Sequence, residues 1–575
     1  MKSSKRQTRQ FVSLIISIIL LFFITQVSLK LVSNFNKIED DENNISYEPD
    51  ISLLIYEINR KGPGEYGQPF YLTDPTEIAK SEIFLTKEGF NVVVSDKISL
   101  TRSLPDYRPK LCKYKTYLKT LPKVSVIITF HNEIWTVLLR CIHSIYHRSP
   151  SNLLHEIILI NDGSTFNELY EPLQKYFNGT FESKVKIHQN LQREGLIKSR
   201  MIGARLAEAE VIIFLDSHME VTNSWLPPLL EPLVYYPAYA TVPIVESLNH
   251  NTFAYEYIGN GYRGTFDWNL RYQWLPRPQK DPKHISDNYE LSSMTGGAYA
   301  IKREHFFHLG GYDEELKIWN GENYELSLKL WLCSGGGIFT VPCSRVAHLS
   351  KMSTAYQVED EKIIARNLKR VVEVWFDDYK KYFYRNDPQR YAKIDAGDLS
   401  KQFELKKKLK CKPFKYFLDV VAPEMLERYP LQPKYFARGL IQNQKLKLCV
   451  GITNSTYELP VRLVSCNLLS KVQSFGSDFT LTMEKSIRFN DINDQCLIGD
   501  DLSLDNCHHQ GRNQLFVFNI TTRQIFYPLE NKCLSSMRSR KIILTSCNTN
   551  SKLQKWIWSY ENITALNNWE NTGFN

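Results

Sequence analysis

Residues 211–218 read VIIFLDSH, five apolar residues closed by Asp216, Ser217 and His218. So short and β-branched a run predicts a strand buried on both faces, the kind found in parallel sheets. In an extended chain, residues two apart point the same way. Asp216 and His218 therefore reach toward one point beyond the strand end. A carboxylate beside an imidazole suits a divalent ion such as Mn²⁺, with positions left for diphosphate oxygens. A lone Asp-x-His is weak evidence, because strand-end Asp residues also cap turns.

The surrounding sequence strengthens it. VSVIITF (124–130), EIILIND (156–162) and KVKIHQN (184–190) predict further strands, while Glu133 to Tyr146 and Leu196 to Ala209 carry the spacing of helices. Strands alternating with helices predict an α/β domain with a mostly parallel sheet and helices on both faces. Ligands gather at the carboxyl ends of such strands. That rule brings Thr129, Asp162 and the 216–218 triplet to one rim. The segment Arg193-Glu194-Gly195-Leu196 opens a helix, where free amides and the dipole attract anions. Residues 224–345 are rich in Tyr, Trp, Pro and Gly, as substrate-shaping loops are, and 357–420 read as a charged closing segment.

From about residue 445 the pattern changes. Cysteines 449, 496 and 533 each open a segment and are followed by cysteines 466, 507 and 547. A Gln-x-aromatic triplet comes after each pair: Gln473/Phe475, Gln514/Phe516 and Gln554/Trp556, 41 and 40 residues apart. Three such units in register predict a β-trefoil.

A chain of 575 residues exceeds what one core supports, so two or more domains are expected. The net charge of +9 is spread thinly, and no RNP, zinc-finger or basic-helix motif accompanies it, so no nucleic-acid partner is expected. Lys2, Lys5, Arg6 and Arg9 precede an uncharged apolar run from Phe11 to Val27, just long enough to span a bilayer. The basic flank places the N-terminus in the cytoplasm and the remainder in the lumen. A cleavable signal peptide competes, but the run is long and no small-x-small site follows it, which favours a type II anchor. Eleven cysteines without a C-x-x-C pair argue against a zinc site and suit an oxidising compartment. Sequons begin at Asn44, Asn178, Asn454, Asn519 and Asn562.

Read together, FHNE (130–133), REGL (193–196), FLDSH (214–218), GTFDWNL (264–270), GENYELS (321–327), CSRVAH (343–348), EVWFDDYKKYFY (373–384) and CKPFKYFL (411–418) resemble the polypeptide N-acetylgalactosaminyltransferases. The resemblance implies a GT-A (Rossmann-like) α/β catalytic domain followed by an all-β ricin-type trefoil lectin domain, on an N-terminal transmembrane helix. It implies a cytoplasmic tail (1–10), an anchor (11–27), a stem and lead-in (28–110), the catalytic domain (111–420), a linker (421–444) and the trefoil (445–562). It further implies Mn²⁺ held by Asp216, His218 and His348, and donor contacts from Thr129, Asp162, Arg193, Ser217, Trp319, Lys351 and Tyr356. Asp162 would accept from the uracil or ribose, Arg193 would face phosphate, and Trp319 and Glu322 would bracket sugar and acceptor. The implied reaction moves GalNAc from UDP-GalNAc to Ser or Thr hydroxyls of a polypeptide, with retention, at the Golgi membrane. The implied disulfides are Cys112–Cys343, Cys333–Cys411 and one within each trefoil repeat, leaving Cys141 as a small buried side chain.

The chain also departs from the family pattern. After His348 come Leu349, Ser350, Lys351, Met352, Ser353 and Thr354, where the family carries a Phe, a phosphate-binding Arg and a His. Lys351 keeps the charge of the Arg without its bidentate fork. Asn320 replaces a Gly beside Trp319, and Gly451, Ile498 and Ser535 stand where the family's sugar-binding Asp follows each Cys-Leu. An alternative is therefore a weakened relative that binds UDP-sugar or glycopeptide without efficient transfer. The topology carries its own test. With residues 28–575 luminal, endoglycosidase treatment of the expressed protein increases its gel mobility, and absence of any shift argues against a luminal chain.

Overall fold

The run Val124–Phe130 forms β1, with every residue buried. β2 (Leu154–Asn161) and β3 (Val185–Gln189) continue the sheet on one side and β4 (Val211–Asp216) on the other, all parallel, in the order β3-β2-β1-β4. Alternate residues of β1 serve opposite faces, as the two-residue period requires. Val124, Val126, Ile128 and Phe130 pack under α1 (Trp135–Arg148) and α3 (Leu226–Tyr235), whereas Ile127 meets α2 (Leu196–Leu206). Helices thus cover both faces, as expected of an α/β sheet.

Beyond β4 the sheet continues through β7 (Ala298–Lys302), β6 (Ala240–Leu248) and β8 (Ile338–Leu349). β7 runs antiparallel to both neighbours and β8 parallel to β6. A short β5 (Met219–Val221) pairs with the end of β8, setting His348 opposite Met219. This pairing brings the segment 345–348 to the rim where β4 ends.

The computed structural model describes residues 44–45, 59–178, 181, 183–277, 284–352, 361–386, 388–429, 431, 435–452, 461–466, 479–482, 485–489, 495–507 and 511–567. The expected anchor, 11–27, lies outside them. Among the described residues no helix is long and apolar enough to cross a membrane.

Two helix boundaries differ from the sequence reading for local reasons. α1 begins at Trp135 rather than Glu133, because Asn132 takes a positive φ of 50° and the Glu133 side chain turns inward. α2 ends at Leu206 rather than Ala209, because the next amides leave the helix. Glu208 N donates to Glu156 Oε1 (2.8 Å) and Ala209 N to Ser125 Oγ (3.0 Å).

The flanking segments are structured too. Part of the lead-in belongs to the domain: Phe90, Val92, Val94, Ile98 and Leu104 pack with Val137, Phe253, Ala347 and Leu349. Arg102, buried, forks onto Glu220 at 2.8 and 2.9 Å. Residues 421–444, read as a linker, carry structure at both ends. Val421, Ala422, Met425 and Tyr429 join the catalytic core, and Trp268 Nε1 donates to Tyr429 O at 2.7 Å. The first trefoil strand is Tyr435–Asn443. Apolar residues in a nominal linker bury themselves rather than face water.

Among the described residues, the trefoil is an eight-stranded and a four-stranded antiparallel sheet around one core. The residue after each leading cysteine, Val450, Leu497 and Leu534, lies in that core at 2% exposure. Gln514 and Gln554 are buried and pin the cysteine loops, with Gln514 Nε2 donating to Asn506 O and Gln554 Nε2 to Ser546 O, both at 2.8 Å. Gln473 and Phe475 lie outside the described residues. The five disulfides are Cys112–Cys343, Cys333–Cys411, Cys449–Cys466, Cys496–Cys507 and Cys533–Cys547, as the resemblance implied. Cys141 is a buried free thiol whose pKa burial pushes up.

Phe214, in the middle of β4, is fully buried among the rings of Tyr299, Phe306 and Tyr312, with centroids at 5.0, 5.5 and 6.0 Å. Phe214→Ala is expected to cost about 3–5 kcal/mol, read as a lower urea midpoint of the catalytic domain. An unchanged midpoint would mean that the cluster is not load-sharing core.

Candidate active site

The sheet delivers its charges to the rim. In the β1–β4 ladder Thr129 stands opposite Asp216, so both strands end side by side. His218 Nε2 and His348 Nε2 lie 3.1 Å apart, and His348 Nε2 is 3.6 Å from Asp216 Oδ2. The three ligand atoms fall within 4.8 Å of one another. The expected metal residues thus converge, although β8 contributes one of them from 130 residues away.

The donor chemistry fits a cation. His218 Nδ1 faces a Glu133 oxygen at 3.0 Å, which places the ring proton there and leaves Nε2 as a lone pair. Two imidazole nitrogens and a carboxylate oxygen then point into one space. Two ligands at about 2.1 Å from an ion, at right angles, sit about 3 Å apart, close to the spacing of the two imidazole nitrogens. Burial works against the Asp216 carboxylate, but the His348 bond and the charge of Arg200 hold it below its usual value. Arg200, 2% exposed, donates through Nη2 to Asp216 Oδ1 at 2.8 Å and turns Oδ2 toward His348. Burial and Lys351 lower the His218 pKa, and the neutral imidazole is the ligating form.

Glu133 is the hub beneath this group. Its carboxylate accepts from Ser217 Oγ (2.8 Å), His218 Nδ1 (3.0 Å) and Lys351 Nζ (2.9 and 3.0 Å). Burial alone would raise its pKa; Lys351 and His218 overcome that and hold it well below the usual carboxylate range. The Lys351 ammonium, expected at a phosphate, is seated here and over the Phe90 ring at 5.2 Å. Ser217 has spent its proton on Glu133, so only its oxygen lone pairs remain to meet a ligand.

Asp162 is fully buried and builds the cradle from below. Its Oδ1 accepts from Glu194 N (2.7 Å), Asn190 Nδ2 (3.0 Å) and Ser199 Oγ (3.0 Å), and its Oδ2 from Gly195 N (2.9 Å). The carboxylate thus shapes the turn that opens α2, where Gly195 takes φ 94°. Arg193 stands half-buried at the mouth of that turn. Thr129 is buried, and its hydroxyl has no protein partner.

On the far side lie Trp319 and Glu322. Trp319 is half-buried in a loop that meets the α2 turn through a bridge between Ile318 and Gly195. Glu322 opens α4 (Glu322–Cys333) at 4% exposure, with Oε2 lacking a partner. Burial raises its pKa, against the pull of Arg200. The loop is held by Asn367 of α5 (Glu361–Trp375), whose Nδ2 donates to the carbonyls of Lys317 (2.8 Å), Trp319 (3.1 Å) and Asn320 (2.9 Å), while its Oδ1 accepts from Lys317 N (3.0 Å). Tyr356 and Thr354 lie outside the described residues.

Models of three families match the chain: glycosyl transferase family 2 over residues 125–309, the N-terminal domain of galactosyltransferase over 280–355, and the ricin-type beta-trefoil lectin domain over 437–556. Polypeptide N-acetylgalactosaminyltransferase 10 of Homo sapiens is 38% identical over 531 residues, 90% of this chain and 87% of that protein. N-acetylgalactosaminyltransferase 4 of Drosophila melanogaster is 37% identical over 90% of this chain and 82% of its own. A crystal structure of GalNAc-T7 with UDP, GalNAc and Mn²⁺ superimposes with a TM-score of 0.66 at 34% identity, covering 87% of this chain and 93% of that one.

The chain belongs to the polypeptide N-acetylgalactosaminyltransferase family.

Asn320, which the resemblance reads as replacing a Gly, adopts φ 78°, a left-handed conformation that Asn accepts more readily than most residues. Glu133, Arg200, Asn190, Ser199 and Asn367 were not singled out as site residues from sequence. Glu133 and Asn190 carried a local signal, each standing just past the end of a strand; Arg200, Ser199 and Asn367 carried none.

Asn367→Ala would take the donor from the Trp319 and Asn320 carbonyls and the acceptor from Lys317 N, while Lys317 O keeps Trp319 N at 2.7 Å. At about 1–3 kcal/mol for unpaired groups, a loss of roughly ten- to hundredfold in kcat/KM for transfer is expected. Wild-type kinetics in this variant would show that the loop around Trp319 holds itself.

Proposed function

We propose that the chain transfers N-acetylgalactosamine from UDP-GalNAc to Ser and Thr hydroxyls of polypeptides, with retention, and so starts mucin-type O-glycosylation. The observation that carries this reading is the convergence of Asp216, His218 and His348 at the carboxyl rim of a nucleotide-type sheet. Family membership and the UDP, GalNAc and Mn²⁺ of the GalNAc-T7 structure support it. Mn²⁺, when bound, supplies a Lewis acid that neutralises charge on the departing diphosphate.

The chain's own groups divide the remaining work. Arg193 and the amides at the start of α2 attract the diphosphate. Asp162 and Thr129 line the nucleoside side, Asp162 through the turn it holds. Trp319 and Glu322 flank the transferred sugar and the acceptor hydroxyl, and Tyr356 belongs to the segment after β8. The alternative of a weakened relative is not favoured, because the ligand set is complete and the relatives are transferases. Residues 11–27 serve as a type II anchor in the Golgi membrane, supported by the basic residues before them.

Transfer from UDP-GalNAc to a panel of Ser/Thr peptides with added Mn²⁺ tests the activity, and no transfer to any peptide would remove it. The metal set has its own test. His348→Ala is expected to abolish Mn²⁺-dependent UDP binding in calorimetry while the thermal transition stays within a few degrees of wild type. Undiminished UDP affinity in saturating Mn²⁺ takes His348 out of the site.

A further inference from the structure

We propose that Glu133 is the positioning residue of the metal centre: it fixes the ring of His218 with Nδ1 inward and Nε2 free for the ion. This rests on the metal reading above and extends it to a residue outside the ligand set.

The turn after β1 is built to place this carboxylate. Asn132, at φ 50°, is held by Ser164, whose hydroxyl accepts from its N–H at 2.9 Å, and its own Oδ1 accepts from Thr165 N at 2.6 Å. The kink sends Glu133 under the rim instead of into solvent, at 4% exposure. There it accepts from the side chains of Ser217 and His218, the two residues that follow Asp216, and from Lys351, three residues beyond His348. One carboxylate therefore ties together the two segments that bring the ligands, 216–218 and 348–351.

The bond to His218 decides which nitrogen ligates. A ring flip would put Cδ2–H in place of Nδ1 at Glu133 and Cε1–H in place of Nε2 beside His348, losing both the 3.0 Å bond and the 3.1 Å approach. In a buried place no water replaces the lost acceptor, so the flip is costly. A carboxylate behind a ligating imidazole also makes the imidazole a better donor. Lys351 adds the countercharge that keeps Glu133 from being an uncompensated buried anion, and its two bonds hold the carboxylate plane. A Lys at this position performs that task with a single compact ammonium, reaching both oxygens at once.

Glu133→Gln tests this in the full chain, because the amide keeps the shape and removes the charge. Mn²⁺ affinity, measured by EPR titration of free Mn²⁺, is expected to fall roughly ten- to a hundredfold. UDP affinity at saturating Mn²⁺ should stay within about twofold, since Glu133 lies buried at 4% exposure with its oxygens taken up by Ser217, His218 and Lys351. A purely structural carboxylate would instead lower Tm and leave Mn²⁺ affinity near wild type, which overturns the proposal. His348→Ala is the control. If it loses Mn²⁺ and Glu133→Gln does not, this inference fails and the metal reading stands; if His348→Ala keeps Mn²⁺, the metal reading fails first. A second measurement needs no variant. In metal-free wild type, ¹⁵N-histidine NMR should find His218 as the Nδ1–H tautomer, and the Nε2–H tautomer would overturn the proposal even if Glu133→Gln does not fold.

Discussion

A strand buried on both faces has no dry place for a charge except its end. β1 and β4 are such strands, and this constraint sets where the chemistry of the molecule can be. Every interior position of β1 must be apolar or have its polar atoms paired, so Ser125 bonds Glu156 at 2.6 Å and the first side chain free to serve a ligand is Thr129. In β4 the first is Asp216. Parallel pairing puts those two residues opposite each other, and the rim becomes a line of polar groups at the ends of two buried strands.

Charges drawn below that line come paired. Arg102 with Glu220, Arg345 with Glu246, Arg370 with Asp313 and Lys351 with Glu133 are all buried ion pairs within the catalytic domain. Such pairs add little net stability, because desolvation cancels most of the attraction, but losing one partner strands the other. Their effect is on geometry. Each joins segments far apart in sequence, so that the rim is assembled from β1, β4 and β8 with few alternative arrangements. Arg200 belongs to the same logic: it neutralises one oxygen of Asp216 and leaves the other toward the two imidazoles.

The strands, the rim and the Asp216/His218 pair were legible in the sequence because they depend on local pattern, whereas His348 came only from the resemblance. VIIFLD announces a buried strand and its polar end by composition alone, and β1 and β4 occupy the expected residues. What stayed hidden depends on the fold. Nothing local in residues 361–375 says that Asn367 holds three carbonyls of a loop near 318. Nothing near Lys351 says that its ammonium turns to Glu133, 218 residues earlier, and a reading by resemblance sends it to phosphate instead. Asp162 was recognised for its place at a strand end, yet the structure adds a task that the place does not reveal, since its oxygens collect backbone amides from the turn before α2. In the segment read as a linker, Val421, Ala422, Met425 and Tyr429 recur at helical spacing, but the core on which they fall is not displayed by sequence alone.

The trefoil makes the complementary point about which residues a fold can do without. Each repeat keeps what its packing needs: a disulfide, an apolar residue after the first cysteine, and in the second and third repeats a buried Gln that ties the cysteine loop and an aromatic ring at 0% exposure in Phe516 and Trp556. The position after that apolar residue holds Gly451, Ile498 and Ser535, three side chains of unlike size and polarity. Gly451 and Ser535 both sit in paired strands, so the backbone there is fixed by its ladder whatever side chain it carries. A carboxylate at this position would contribute to a ligand and nothing to the core. Its absence therefore leaves the scaffold intact, and the trefoil stands as a packed domain whose architecture does not depend on a carboxylate at these positions.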